Sequence, residues 1–292
     1  RHLRVTHAPS PPPQQESPAM RLAHLSPLLA ALALSVSAVP AAAELMIAPT
    51  RLVMGPSERS TELTLVNKGN EQTAFRIAVE NRRMRRDGAL EAAETPRTGE
   101  LFAADMIRSA PRRVILEPGA RQTIRVSVDT PAGLAPGEYR SHLRLMSAPT
   151  GAAQPTATPG SAEADDKSLS IELVAVRSLT IPVIIRVGTL DATATIDGAT
   201  LARAPEDMLV VKMARTGTRS TYGDLRLTLD GQSQPVYVVR GIAIYTPNSD
   251  RDVLLPLPAD VRQKIAGHAL RIDYVSTDAK SPGLIASRNL KL

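Results

Sequence analysis

The sequence contains no cysteine and no tryptophan, and its 292 residues include only five tyrosines and two phenylalanines. Without cysteine the chain can form neither a disulfide nor a thiolate metal site, so its folded parts must be stabilised by core packing alone. The scarcity of aromatic rings also removes the stacking platforms on which proteins bind single-stranded nucleic acids.

A strong excess of one charge is also missing. The net charge is +6, and it falls to +4 without residues 1–43, which carry three arginines and one glutamate. Neither half of the remaining sequence is strongly basic. Because binding to nucleic acid phosphates needs a concentrated basic surface, we expect no nucleic acid partner.

Residues suited to catalysis are few. After residue 43 the only histidines are His142 and His268, and neither belongs to a metal-binding spacing such as HExxH. The P-loop, GxGxxG and GxSxG motifs are absent from the sequence. His142 follows a strand pattern and is expected to be a surface or interface residue. We therefore expect no enzymatic activity and no cofactor.

One acidic segment imitates the start of a calcium-binding loop. Asn248, Asp250 and Asp252 have the spacing of the first three ligands of such a loop. The position of the required glycine is Val253, and that of the closing glutamate is Ala259. We therefore expect a solvated turn and no metal site.

The only long apolar run lies near the start of the sequence. Met20–Ala43 combines a basic residue at Arg21, the apolar segment LSPLLAALALSVSAV and three alanines that suit a cleavage site. This arrangement predicts a secretory signal peptide, and residues 1–19 are interpreted as a non-native segment upstream of it. The alternative is an uncleaved membrane anchor, but the run is too short to span a bilayer comfortably. We expect a soluble periplasmic protein without membrane insertion.

The rest of the sequence consists of short alternating runs separated by turn residues, a pattern that predicts strands. Those expected in the first half are Met46–Met54, Thr61–Val66, Thr73–Glu80, Arg113–Leu116, Thr123–Val128 and Tyr139–Met146. Those expected in the second half are Ala192–Ile196, Met208–Met213, Leu225–Leu229, Val236–Ile244, Leu270–Val275 and Leu284–Leu292. Asp87–Met106 is expected to form a loop or a short helical turn, and Pro258–Ala266 a short helix. The pattern predicts an all-β fold with two sandwich domains, residues 44–187 and 188–292.

The segment Leu169–Arg186 is the most informative part of the sequence. It favours β-structure throughout and would extend on the order of 60 Å, about three times the length of an ordinary strand. It follows a low-complexity segment, Ala148–Asp166, that is expected to be a flexible loop. Its first part is apolar on one face, which is formed by Leu169, Ile171, Leu173 and Ala175.

The second part of this segment contains Pro182, and a proline within a sheet is confined to edges, bulges or strand starts. The segment is therefore expected to be an edge strand. Accessible apolar edges recruit other strands and are usually avoided. We therefore expect this edge to bind a strand of a partner.

Two basic features allow more than one interpretation. Arg51 lies within a predicted strand among apolar neighbours, where it must reach water, pair with a carboxylate or bind a ligand. A surface salt bridge is favoured. The sequence RRMRR at residues 82–86 precedes the turn Asp87-Gly88 and is interpreted as a solvated hairpin tip. The alternative for this tip is a docking patch for an acidic partner.

Several segments together resemble one protein family. IAPTRLVMGPSERSTELTLVNKGNE, LEPGARQTIRVSV, PGEYRSHLRL and SLTIPVIIR, in this order, resemble the first domain of the periplasmic pilus-assembly chaperones of the chaperone–usher pathway, the PapD-like chaperones. TGTRSTYGDLRLTL and LIASRNLKL extend the resemblance more weakly into the second half. The resemblance implies two immunoglobulin-like β-sandwich domains in an L-shape.

The resemblance also implies a function. Such chaperones bind pilin-like fibre subunits that lack a strand, cap them by donor-strand complementation, and deliver them to an outer-membrane usher. By resemblance, Arg51 in PTR matches the arginine that anchors the C-terminal carboxylate of the subunit. The residues that would fill the groove of the subunit are Leu169, Ile171, Leu173 and Ala175.

The sequence departs from the family at two places. The family's second basic anchor is usually a lysine in the donor strand, and the matching site falls near Pro182. Arg177, in the same strand, is the expected substitute. Many members carry Arg-Glu-Ser where this chain has Tyr139-Arg140-Ser141. The pattern resembles the branch of the family that builds thinner pili or surface fibres.

A second hypothesis comes from a different class of function. A structural or adhesive two-domain immunoglobulin-like protein of a surface fibre would explain the sandwiches and the export signal. It would not explain an accessible apolar edge on a soluble protein. It predicts self-association, whereas the chaperone hypothesis predicts the capture of a smaller subunit.

Overall fold

The computed structural model describes residues 45–148, 177–202, 207–278 and 281–291. Strands dominate these residues, together with the helix α1 (Ala259–Ile265) and a 3-10 turn at Ala104–Met106. The strands are β1 (Leu45–Ala48), β2 (Leu52–Met54), β3 (Ser60–Asn67), β4 (Thr73–Glu80), β5 (Arg82–Met84), β6 (Leu90–Ala92), β7 (Ile107–Ala110), β8 (Arg113–Leu116), β9 (Arg121–Val128), β10 (Gly137–Ala148), β11 (Ser178–Val187), β12 (Ala192–Ala202), β13 (Met208–Gly217), β14 (Thr221–Leu229), β15 (Tyr237–Ile244), β16 (Asp250–Pro256), β17 (Ala269–Ser276) and β18 (Gly283–Lys291).

The first eleven strands build a β-sandwich with a small separate hairpin. One sheet has the order β1-β3-β9-β7 and the other the order β2-β11-β10-β4-β8, while β5 and β6 pair with each other. Alternation along the strands produces the shared core: in β9, Ile124 and Val126 are buried while Arg125 is exposed. These side chains pack against residues of the other sheet such as Leu143 and Leu145 of β10.

The last seven strands build a second sandwich with its own core. Its sheets have the orders β12-β13-β16 and β15-β14-β17-β18. Leu209, Leu225 and Ile272 are fully buried between them. The helix α1 adds Val261 and Ile265, which are four residues apart and therefore lie on one face of the helix. The expected all-β class with two sandwiches and the expected short helix are confirmed, while the domain boundary at residue 187 stays a prediction.

Most expected strands are confirmed, but Met46–Met54 is wrong as a single strand. It forms two strands, of which β1 pairs with β3 in one sheet and β2 pairs with β11 in the other. Pro49 lies between them and cannot donate a backbone hydrogen bond to a sheet. The chain therefore crosses from one sheet to the other at this point. Arg51 lies in the crossing segment immediately before β2.

The strands β5, β6, β7 and β16 were not expected from the sequence. Hairpin β5–β6 packs against the second sandwich, where the Asp252 amide donates to the Arg86 carbonyl (2.9 Å) and Asn248 Nδ2 to the Met84 carbonyl (3.0 Å). The Arg86 side chain forms ion pairs with Asp252 (2.9 Å) and Asp250 (3.6 Å). Asp250 and Asp252 are therefore part of β16, which faces the basic hairpin, and only Asn248 lies in the turn before it.

Several of the predicted segments lie outside the described residues. These are the signal peptide at residues 20–43 with the segment before it, the low-complexity segment up to residue 166, and the apolar face formed by Leu169, Ile171, Leu173 and Ala175. They stay predictions. Across the described ranges, no helix is long and apolar enough to cross a membrane.

Candidate functional site

Arg51 lies where the two sandwiches meet, and it is partly buried there. Its guanidinium carbon lies 4.4 Å from the ring centroid of Tyr222 in β14, a cation–π distance. Its Nε and Nη2 atoms are inaccessible and have no hydrogen-bond partner among the described residues. Burial lowers the pKa of this guanidinium. The surface salt bridge favoured from the sequence is wrong, because Arg51 forms no ion pair with any residue that the structure describes.

A small cavity opens beside Arg51, and we call it the cleft cavity. Its volume is about 50 Å³, which is room for a few water molecules or for one small polar group. Its lining comes from both sandwiches and is mostly polar, and it includes Arg51, Arg186, Arg219, Ser220, Tyr222 and Asp278.

A buried carboxylate stabilises the arrangement of the sandwiches around this cavity. Glu138, at the start of β10, is fully buried and accepts hydrogen bonds from the amide (3.0 Å) and the hydroxyl of Ser220 in the second sandwich. Arg186 of β11 pairs with Glu138 (3.1 Å) and with Asp278 (3.5 Å). The charge of Arg186 is therefore neutralised by two carboxylates. A buried charge is tolerated when it is paired in this way.

A second arginine, Arg140 of β10, is also buried between the sandwiches. It donates to the carbonyls of Thr246 (3.2 Å) and Arg82 (3.3 Å), and its guanidinium lies 4.3 Å from the ring centroid of Tyr245. Burial lowers its pKa. This residue belongs to the Tyr139-Arg140-Ser141 sequence in which the chain departs from the family, and its role here is to connect β10 with the second sandwich.

His142 lies next to Arg140 on the same face of β10 and is completely buried. Neither ring nitrogen has a hydrogen-bond partner among the described residues, and the ring meets that of Tyr245 edge-on at 6.5 Å. Burial, reinforced by the charges of Arg140 and Arg82, lowers the pKa of His142 to about 3. His142 is therefore neutral at physiological pH and faces an internal interface, not the surface.

A different cavity lies at the other end of β11, and we call it the edge cavity. It measures about 420 Å³ and is lined mainly by apolar side chains, namely Leu45, Phe75, Leu145 and Leu179. Leu179 is 44% exposed although it belongs to a strand. Here residues 178–182 pair with β10, and no other described strand pairs with them, because β2 reaches only residues 183–185. Within the part of the chain that the structure describes, the first half of β11 is therefore an open edge.

Arg177 lies at this open end, away from Arg51. Its amide donates to Ser147 Oγ (2.8 Å) and its carbonyl accepts from the Ser147 amide (2.8 Å), which continues the pairing of β10 with β11. It lines the edge cavity, while Arg51 lines the cleft cavity. Val183, the partner of Leu52, lies six positions after Arg177, which is about 20 Å along a strand. The structure therefore does not bring the two expected anchors together.

Sequence reasoning missed the residues of the second sandwich that meet these arginines. Tyr222 and Tyr245 cover Arg51 and Arg140, and Arg219 lines the cleft cavity. No local pattern in the sequence marks them, since only the folded chain brings residues so distant in sequence together. No group of histidines and carboxylates suited to hold a metal ion occurs among the residues that the structure describes.

Comparisons with known proteins give matches in structure alone. No family model matches the sequence, and no curated protein matches it. The complex of the chaperone CsuC with the tip adhesion subunit CsuE, from the archaic chaperone–usher Csu pili of Acinetobacter baumannii, is similar with 11% identity and a TM-score of 0.46, over 83% of this chain and 97% of that chain.

Two further chaperones are similar to the chain. The E. coli chaperone DraB has 15% identity and a TM-score of 0.39, over 86% of this chain and 99% of that chain. The Pseudomonas aeruginosa CupB2 chaperone has 12% identity and a TM-score of 0.41, over 85% of this chain and 100% of that chain. The chain is similar to chaperones, and the resemblance in its sequence is to a family of chaperones.

Proposed function

We propose that the chain is a periplasmic chaperone that binds pilin-like subunits by donor-strand complementation and delivers them to an outer-membrane usher. The observation that carries the proposal is the open edge of β11 at residues 178–182, which borders the apolar edge cavity. An unpaired edge beside an apolar cavity offers backbone hydrogen bonds and a place for side chains, which is what strand addition requires.

In this proposal a strand of the subunit pairs with the open edge of β11 and with the residues that precede it. The apolar side chains proposed to enter the groove of the subunit are Leu169, Ile171, Leu173 and Ala175, which the sequence places on one face. Each larger aliphatic side chain buried in this way contributes about 1.5–3 kcal/mol to binding. Several such side chains are needed, because association also costs translational, rotational and side-chain freedom.

Arg51 is the proposed anchor for the C-terminal carboxylate of the subunit. Its buried N–H groups lack acceptors among the described residues, and burial disfavours its charge. An incoming carboxylate would supply both a hydrogen-bond acceptor and a compensating charge. The resulting hydrogen bond would be charge-assisted and therefore stronger than a bond between neutral groups. Delivery to the usher and the periplasmic location rest on the sequence resemblance and the signal peptide, and the proposal includes no catalysis and no cofactor.

A pull-down tests the proposal. The mature protein from Glu44 onward is tagged and isolated from the periplasm of its own host, together with a variant that carries Ile171→Asp and Leu173→Asp. The control variant carries Leu254→Asp and Leu284→Asp, two exposed leucines of the second sandwich. We expect one stoichiometric small β-rich subunit with the wild type and the control and none with the first variant. Full capture by a folded Ile171→Asp, Leu173→Asp variant would contradict the donor assignment.

The same experiment separates the proposal from the structural alternative. Recovery of only the chain itself, in every version, would favour a fibre component that associates with its own copies. Once the subunit is known, calorimetry with Arg51→Ala tests the anchor, and we expect the affinity to fall about tenfold or more. The control is Arg125→Ala, an exposed arginine of β9. An unchanged affinity for Arg51→Ala would mean that the anchor lies elsewhere.

A further inference from the structure

Three arginines line the cleft cavity, but they differ in their partners. Arg186 is neutralised by Glu138 and Asp278. Arg51 and Arg219 form no ion pair with any residue in the described ranges. Three positive charges therefore meet two carboxylates, and both carboxylates pair with the same arginine. Counted over the described residues, the cavity keeps an excess of one positive charge.

The backbone of Arg219 is fixed at the cavity. Arg219 lies between β13 and β14, where its amide donates to the Asp191 carbonyl (3.0 Å) and its carbonyl accepts from Arg215 Nη1 (2.9 Å). The next residue, Ser220, donates to the buried Glu138 (3.0 Å). These bonds hold the segment on both sides, while the side chain of Arg219 is only partly buried. A long cationic side chain on a fixed backbone beside a cavity can reach a ligand that binds in the cavity.

We propose that Arg219 is the second cationic ligand of the anionic group that binds Arg51, and that this group is a single carboxylate. The inference rests on the proposed function and adds a residue from the second sandwich to the site. An excess of one positive charge matches one carboxylate. The volume of about 50 Å³ also suits a group of that size and not a bulky anion.

No residue on β11 other than Arg186 supplies a cation to this cavity. Residue 182 is a proline opposite His142, and Arg177 lies at the other end of the strand. The other unpaired cation at the cavity therefore comes from another element: Arg219 lines the cavity from the loop before β14. Because Arg51 belongs to the first sandwich and Arg219 to the second, a bound carboxylate contacts both sandwiches at once.

A titration followed by NMR tests this inference on the mature chain from Glu44 onward. The probe is N-acetylglycine, which ends in a carboxylate, and its uncharged control is N-acetylglycinamide. We expect N-acetylglycine to shift the guanidinium Nε–H resonances of Arg51 and Arg219, and N-acetylglycinamide to leave both unchanged. In the Arg219→Gln variant we expect about tenfold weaker binding of N-acetylglycine, as for the loss of one hydrogen bond to a charged group. The matched control is Arg240→Gln, an exposed arginine of β15, which should bind like the wild type.

The outcomes distinguish the inference from the function on which it rests. If Arg51→Gln abolishes binding and Arg219→Gln leaves it unchanged, Arg219 is not a ligand of the carboxylate, and the assignment of Arg51 as the anchor is retained. If the wild type does not bind N-acetylglycine, or if Arg51→Gln binds as well as the wild type, both the anchor and its second ligand are wrong. Equal binding of N-acetylglycine and N-acetylglycinamide would also overturn the inference.

Discussion

The two halves of β11 differ although they belong to one strand. Residues 183–185 pair with β10 on one side and with β2 on the other, and their side chains are at most 2% exposed. Residues 178–182 pair with β10, and Leu179 is 44% exposed. The second half supports the fold, and the first half, which has no second strand partner among the described residues, is the half proposed to pair with a partner. Substitutions in the two halves should therefore separate stability from binding.

The cavities beside the two halves differ in the same way. The cleft cavity is small and charged and is lined by both sandwiches, whereas the edge cavity is about eight times larger and mainly apolar. A charged cavity of about 50 Å³ selects one small anionic group. An apolar cavity accepts many different side chains, because binding there depends on how much apolar surface is removed from water. In the proposed function the edge supplies affinity and the cleft determines the register of the partner strand.

The largest loss of stability is expected in the cleft. Glu138→Ala removes a fully buried carboxylate and leaves Arg186 and Ser220 without their main acceptor. We expect the free energy of unfolding to fall by about 3–5 kcal/mol, the cost of breaking a buried ion pair. Urea unfolding measures it, with Glu62→Ala on the exposed face of β3 as the control. An equal decrease in the free energy of unfolding in both variants would mean that the buried ion pair contributes no more to stability than an exposed carboxylate.

A pair of apolar substitutions compares the two halves directly. Ile184→Ala removes a fully buried side chain that packs with Met84 and Tyr245, and it should destabilise the fold by about 2–5 kcal/mol. Leu179→Ala should cost less than about 1 kcal/mol, because this side chain is half exposed. Binding of the subunit should respond the other way, with a larger loss for Leu179→Ala in a folded protein. Similar unfolding curves for both variants would contradict the comparison.

The border between the two halves should respond to pH. His142 lies opposite Pro182, and its pKa is about 3 in the folded protein, while an unperturbed histidine has a pKa of 6.5. Below pH 6.5 the unfolded chain therefore binds a proton that the folded chain does not. The free energy of unfolding should fall as the pH is lowered from 6.5 towards 3, by up to ~1.4 kcal/mol for each pH unit.

Two variants check this pH dependence by urea unfolding at pH 7, 6 and 5. His142→Phe keeps an aromatic ring beside Tyr245 but cannot titrate, so its stability should fall less than that of the wild type as the pH is lowered. His268→Gln changes an exposed histidine of the second sandwich and should retain the wild-type slope. A wild-type slope in His142→Phe would mean that other groups cause the dependence.

Much of the fold could be predicted from local pattern. Thr73–Glu80 and Arg113–Leu116 were predicted with their observed ends, because alternation and the flanking turns are local signals. The break in Met46–Met54 was missed, because its two parts pair with different sheets, and sheet assignment depends on distant strands. The strand β16 was missed because its start at Asp250 and Asp252 was expected to belong to a solvated turn.

The candidate site could be predicted only in part. Arg51 stood out because a cation among apolar residues needs a partner, but the sequence could not show that this partner is Tyr222 of the second sandwich. Arg177 was expected near Arg51 because both belong to the resemblance, and strand length places it at the other cavity. Burial of His142 and Arg140 depends on the packing of Tyr245 against β10, which no local pattern encodes.

The open edge of β11 is the central claim, and site-specific cross-linking tests it most directly. Because the chain has no cysteine, Leu179→Cys and Leu254→Cys each provide one unique position for a photoreactive label. Both leucines are 44% exposed and lie on strands at sheet positions with one open side, so they are matched controls for each other. In periplasm of the host we predict an adduct with one small subunit from position 179 and none from position 254. Equal adducts from both positions, or none from position 179, would contradict the account.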